Sequence, residues 1–160
     1  NTFPQDSRKL QKLAQGYAGE ENEFGGKDEM MDASGLFIIN PQFEWTGGGV
    51  YSTTGDLARW GKLLYEGKVV DTGLLLSSAV AAKLGKDTKY ALGVIIRPSP
   101  LGITYGHSGF FPGYLTELLY FPGQGFSIAL QANTSDFKNL KLSLLKCAFV
   151  LAGASQAPHH

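Results

Sequence analysis

The sequence predicts an α+β fold, an antiparallel β-sheet with packed helices, and three observations carry the prediction. Apolar residues before Tyr90 recur at helical spacing, whereas β-rich runs follow it. Glycine occupies 21 of 160 positions, well above an average usage of about 7%, and these glycines punctuate short apolar runs as tight turns do. Beyond residue 134 the helical spacing returns.

In chain order, "DSRKLQKLAQGY" sets Leu10, Leu13, Ala14 and Tyr17 at helical spacing, with Asp6 or Ser7 as cap. "GEENEFGGKDEMMDASG", Gly19 to Gly35, has no period and several breakers, and reads as a long surface loop. In "GGGVYSTTGDLARWGKLLYEGK", Thr53 with Asp56 three residues on forms a capping box in which Asp replaces Glu. The cap bond is worth about 1 kcal/mol. Leu57, Trp60 and Leu64 form the stripe of that helix, and Gly67 ends it. "SSAVAAKLG" predicts a further short helix.

Four β-rich runs follow: "YALGVIIR", "GITYGHSG", "YLTELLYF" and "FSIALQAN". "PSPLG" joins the first two and "PGQG" the last two, which predicts hairpins and sequential antiparallel neighbours. A closing helix starts near Ser135 or Asp136, with Phe137, Leu140, Leu144, Cys147, Ala148 and Leu151 on one face toward the sheet. Cys147 then reads as a small buried hydrophobe. The domain organisation is one unit over 1–157: a helical and loop part (1–89), antiparallel strands (90–134) and a C-terminal helix (135–153). Residues 158–160, "PHH", read as a tag remnant, and Asn1 as a processed, cloned or proteolysed start.

Composition excludes several function classes. A chain this long can bury roughly 68–70% of its unfolded surface, so a core needs no staples. Lys plus Arg and Asp plus Glu balance at 14 each without a basic stripe, which argues against nucleic acid. One cysteine cannot form an internal disulfide, and with one internal histidine it cannot build a protein-only zinc site. No run of about 18 apolar residues predicts a membrane-spanning helix.

The chemistry concentrates in "YGHSGFFPGY", Tyr105 to Tyr114. Strand alternation puts Tyr105, His107 and Gly109 on one face and Ser108 on the other, so His107 and Ser108 are not a base and nucleophile pair. His107 reads either as a hydrogen-bonded histidine at a strand end or as a site residue. The flanking Gly106 and Gly109, which would let a substrate lie close along the strand, favour the second. "GHSGF" approaches the G-x-S-x-G nucleophile elbow, but Phe110 replaces the last glycine and a strand follows where a helix should start.

"HSGFFPGY" resembles the third motif of the penicillin-recognising serine hydrolases, the group of class C β-lactamases, D-alanyl-D-alanine carboxypeptidases and related esterases. "GGGVYSTTGDLARWGKLL" is similar to the family stretch that precedes it, and the order, interval, hairpin and closing helix also match, over most of 10–153. The resemblance implies a β-lactamase/transpeptidase-like fold, of which this chain would be the C-terminal part, and acyl transfer to serine without a cofactor. It implies that His107 lies near the substrate carboxylate and the proton-transfer network, and that Ser108 and Gly109 contact substrate. The backbone N–H of Phe110 would be an oxyanion-hole donor, and Pro112 and Gly113 would shape the following turn. Gly47 to Gly49, centred on Gly48, and Tyr51 would pass near the substrate's outer edge, although a tight turn before a capped helix explains them equally well.

The departures concern the nucleophile. The family uses a serine in S-x-x-K and a tyrosine in Y-x-N or Y-x-S, both upstream of these motifs. "SLLK", Ser143 to Lys146, has the spacing but lies in the closing helix, with Lys146 facing solvent, and "YST" at Tyr51 has threonine where Asn or Ser belongs. The expectation is a segment of a serine hydrolase acting on a β-lactam, a D-alanyl peptide or a small ester, inactive by itself. Its partners would be that small-molecule or peptide substrate and the missing N-terminal part of the same domain, with self-association of the isolated chain. By family resemblance the location is periplasmic or secreted. A non-catalytic ligand- or partner-binding module of the same fold is the alternative.

Overall fold

The computed structural model describes residues 2–4, 12–19, 27–48 and 50–155. Its elements are β1 (Thr2–Pro4), a 3-10 helix (Pro41–Glu44), β2 (Val50–Ser52), α1 (Thr54–Tyr65), α2 (Thr72–Leu76), β3 (Val80–Ala81), β4 (Lys89–Tyr90), β5 (Ile95–Ser99), β6 (Gly102–Phe111), β7 (Tyr114–Phe121), β8 (Phe126–Ala132) and α3 (Phe137–Ala154). Strands β3 to β8 form a six-stranded antiparallel sheet in sequential order, and β1 pairs with β2. This is the predicted α+β architecture.

Turn chemistry sets the register. Phe121 opposes Phe126 across Pro122–Gly125, where the Gly125 N–H donates to Phe121 O at 2.8 Å. Ser99 opposes Gly102, and its hydroxyl donates to Gly102 O at 2.8 Å. Phe111 opposes Tyr114 across Pro112 and Gly113. Gly113 has φ +82, as the second central residue of a turn led by proline requires. A Cβ there would also strike the Met30 side chain, so two constraints call for glycine.

Alternation along β7 divides the core between two faces. On one, Gly61 of α1 sits so close to Leu118 that an added Cβ would lie 2.8 Å from Leu118 Cδ1. Beside it the Tyr65 ring stacks on Tyr120 at 5.9 Å and meets Tyr105 at 6.0 Å. On the other, Leu119 and Phe121 are buried against Ala148 and Ala152 of α3. Each such large apolar side chain contributes about 1.5–3 kcal/mol through burial. A third cluster joins Met30 and Phe37 to Tyr51, Phe111 and Tyr114 at the hairpin end of β6 and β7.

The Thr53 cap forms as the sequence predicts: its hydroxyl oxygen accepts from Asp56 N–H at 3.1 Å and its O–H donates to the Asp56 carboxylate at 2.9 Å. Other expectations are corrected. Of the helix over "DSRKLQKLAQGY", residues 6–11 lie outside the described residues, and 12–17 are not helical. Tyr17 instead bridges Glu29 and Thr134, because the sheet offers this segment a non-local partner. Residues 20–26 of the long loop lie outside the described residues, and the rest is anchored by a buried Met30. "SSAVAAKLG" contains strand β3, and the short helix falls earlier, at α2. There Asp71 caps the Gly73 N–H at 2.8 Å. In α1 the stripe is rotated: Trp60 is exposed, and Gly61 and Tyr65 are buried. In α3 Ala148 of the predicted stripe is buried, as is Ala152 outside it, whereas Cys147 and Leu151 of that stripe are exposed.

Candidate active site

Strand β6 outruns its neighbour. Its pairing with β5 begins at Ser99↔Gly102 and ends at Ile95↔Gly106, whereas its pairing with β7 continues to Phe111↔Tyr114. Among the described residues, no strand pairs with the β5 side of residues 107–111. A sequence of turn residues produces this edge: Gly93, at φ +68, turns the chain from β4 into β5 before β5 could reach residue 107.

The predicted alternation holds on this segment. His107 is exposed, and its Nε2 lies 3.0 Å from the Tyr90 hydroxyl while Nδ1 lies 2.7 Å from Ser108 O. The two rings meet edge to face at 5.8 Å and 76°. Ser108 points to the α3 face, where its hydroxyl donates to Glu117 Oε2 at 2.6 Å and accepts from Arg97 Nη2 at 3.3 Å. Arg97 Nη1 lies 3.2 Å from Glu117 Oε1, an ion-pair contact without hydrogen-bond alignment. The Glu117 side chain is 2% exposed and that of Arg97 11%, so the charges compensate each other where water cannot.

The glycines differ in what they permit. A Cβ on Gly106 would collide with the Leu118 carbonyl, so β7 itself demands glycine there. A Cβ on Gly109 would meet only Thr116, at an ordinary 3.4 Å. The fold does not require glycine at 109, and its effect is to keep the strand's exposed face low. Phe110 is exposed, and alternation directs its N–H to the same side as that of Ser108 and opposite to those of His107 and Gly109.

The structure thus brings His107, Ser108, Gly109 and Phe110 onto one strand. Tyr51 joins the neighbouring hairpin, where a cavity of about 620 Å3 is lined by Tyr51, Thr53, Tyr114, Thr116, Gln131 and others. Thr116 is the cross-strand partner of Gly109, so the cavity adjoins the same strand. Gly48 lies after the 3-10 helix, where a Cβ would be 3.1 Å from Glu44 Oε2. In the "SLLK" stretch Lys146 is exposed, and the Ser143 side chain lies outside the described residues. Among the described residues no group of three His, Cys, Asp or Glu converges on a metal position.

Tyr90, Arg97 and Glu117 escaped the sequence reading. A signal for Glu117 existed, since one carboxylate inside the apolar run "YLTELLYF" calls for a buried cation or donor. Burial, with a smaller effect from Tyr90, pushes Tyr65 up to about 12. Burial pushes Tyr114 up to about 12 as well, against a hydrogen bond from the Gly16 backbone that acts in the opposite sense.

An antiparallel sheet covered by helices on both faces is the framework of the penicillin-recognising serine hydrolases. The sequence model of the family described as Beta-lactamase matches residues 2–143, and the chain belongs to that family. Among solved structures, the crystal structure of a D-stereospecific amidohydrolase from Streptomyces sp. is similar in fold, with a TM-score of 0.67 and 19% sequence identity over 84% of this chain. The chain spans 39% of the length of that protein. No curated protein matches the sequence.

Proposed function

We propose that this chain is the substrate-strand part of a serine hydrolase that cleaves an amide or ester by acyl transfer, with the nucleophile on an S-x-x-K segment elsewhere in the same domain. The observation that carries the reading is the half-open edge of β6 over residues 107–111, beside an exposed His107 and a Gly109 that the fold itself does not require. An extended acyl group can add to such an edge by main-chain hydrogen bonds. Family membership and the amidohydrolase fold support an amide substrate, a β-lactam or D-alanyl peptide, with small esters in the same class.

In this reading the serine oxygen attacks the carbonyl carbon, and the developing oxyanion is met by the Phe110 N–H and the nucleophile's own N–H. Donors of this kind are worth about 2.7–4 kcal/mol in the transition state. Collapse expels the amine or alcohol, which takes up a proton, and water then hydrolyses the acyl-enzyme. His107 stands by the substrate carboxylate and the proton path. Ser108, tied to Glu117 and Arg97, orients the strand from behind and contributes to the substrate surface through its backbone. The exposure of Trp45 (84%), Val150 (72%) and Val80 (64%) supports a further part of the domain as partner for this chain.

Covalent labelling tests the reading and separates it from a non-catalytic binding module. The 160-residue chain should form no adduct with a fluorescent penicillin and should not hydrolyse a chromogenic cephalosporin or nitrophenyl ester. A longer protein bearing S-x-x-K should do both, with the adduct on that serine. In that protein His107→Ala should lower kcat/KM at least about tenfold, or about 1.4 kcal/mol. An adduct mapped to Ser108 or Ser143 would overturn the assignment, and a longer protein that binds substrate without acylation would favour the binding module.

A further inference from the structure

We infer that Tyr90 is a positioning residue for His107, one that fixes the imidazole as its Nδ1–H tautomer and keeps Nε2 as a hydrogen-bond acceptor. The catalytic meaning of this rests on the reading of His107 given above, but the tautomer itself does not. A backbone carbonyl can only accept, so at 2.7 Å from Ser108 O the Nδ1 atom must carry hydrogen. A neutral imidazole has one N–H, which leaves Nε2 bare. The Tyr90 hydroxyl, 3.0 Å away, then donates to it. Edge-to-face contact between the rings adds a third constraint on the imidazole plane.

The pair has a chemical consequence. A proton arriving at Nε2 reverses the hydrogen bond: Nε2–H donates, the phenol oxygen accepts, and the phenol's own hydrogen turns away from the ring. Nothing is oxidised and no heavy-atom bond breaks. One proton is taken up, and one O–H donor is released on a tyrosine that is 37% exposed. The site therefore presents an acceptor in one state and a cation with a neighbouring donor in the other. Placement explains why Tyr90 can do this: β4 lies one strand beyond β5, where β6 runs past the end of its neighbour.

Two-bond proton–nitrogen NMR on the uniformly 15N-labelled chain reads the tautomer directly. The neutral wild-type chain should show His107 with a protonated-type Nδ1 and an unprotonated-type Nε2, and His107→Gln identifies the signals by their loss. Tyr90→Phe keeps the aromatic ring and removes only the hydroxyl, and it should raise the Nε2–H population measurably. A wild-type Nε2–H tautomer, or identical ring nitrogens in wild type and a folded Tyr90→Phe, would overturn the inference. The wild-type spectrum decides the tautomer even if the variant does not fold. Because imidazole nitrogens and not turnover are measured, failure of this inference and failure of the proposed hydrolase function give different results.

Discussion

One residue separates two different environments on β6. On the α3 side, Ser108 is tied into a buried pair of opposite charges, Arg97 and Glu117. On the α1 side, His107 is exposed and held by one phenol and one backbone carbonyl. A buried charge left alone costs several kcal/mol, so neither partner of the first side can be removed without endangering the fold. The second side is open to water, and no buried charge depends on it. A strand thereby carries a buried ionic support and an exposed imidazole back to back, and the period of two is what keeps them apart.

The largest test of this contrast is at the buried pair. Glu117→Ala should destabilise the chain by about 3–5 kcal/mol in denaturant unfolding, because it strands Arg97 and removes the acceptor of Ser108. A loss under about 1 kcal/mol would mean that water reaches the pair and that the α3 side is not a support of this kind.

The glycines of the same strand sharpen the comparison. Gly106→Ala should cost several kcal/mol or prevent folding, on the order of an overpacked core position, because its Cβ meets the backbone carbonyl of Leu118. Gly109→Ala should be within about 1 kcal/mol of wild type in stability, since strand glycine is itself unfavourable. In an enzyme that contains the nucleophile, the same Gly109→Ala should raise KM or lower kcat. Equal destabilisation by the two substitutions would remove the argument that position 109 is kept low for a ligand.

The smallest effect is alkaline. Tyr65 and Tyr114 are raised from 10.0 to about 12 in the folded chain, so folding favours their protonated forms. Their contribution to stability is complete below pH 10 and is lost as pH rises through about 12. The apolar cluster around Leu119 and Phe121 on the α3 face includes neither of these phenols, so the α1 face should loosen first. Thermal melts between these pH values, with Tyr65→Phe and Tyr114→Phe flattening the decline, check the expectation. A melting temperature independent of pH there would show that these phenols are not buried.

Much of this architecture is written in local rules. Hairpin turns at "PSPLG" and "PGQG", the Thr53 cap and the opposite orientations of His107 and Ser108 follow from residue type and the period of a strand, which act within a few residues. The α3 stripe was legible in part: Ala148 lies on the predicted face, but Leu144 to Leu151 are apolar on several faces, and only the sheet against which the helix lies adds Ala152 and leaves Cys147 in solvent. Strands β3 and β4 are two residues each, too short for any period to register, and they exist because β5 offers an edge to pair with.

By itself, then, the sequence determined the class of fold, the turn positions and the identity of the strand that bears the candidate site. Tertiary structure alone decided that Tyr90 meets His107, that Arg97 and Glu117 compensate each other behind Ser108, and that the pairing of β6 with β5 ends at Gly106. The contacts of His107 with Tyr90 and of Ser108 with Arg97 and Glu117 join residues 17, 11 and 9 positions apart in the chain. Periodicity says which way a side chain points from its own strand, whereas what it meets depends on where a neighbouring strand ends.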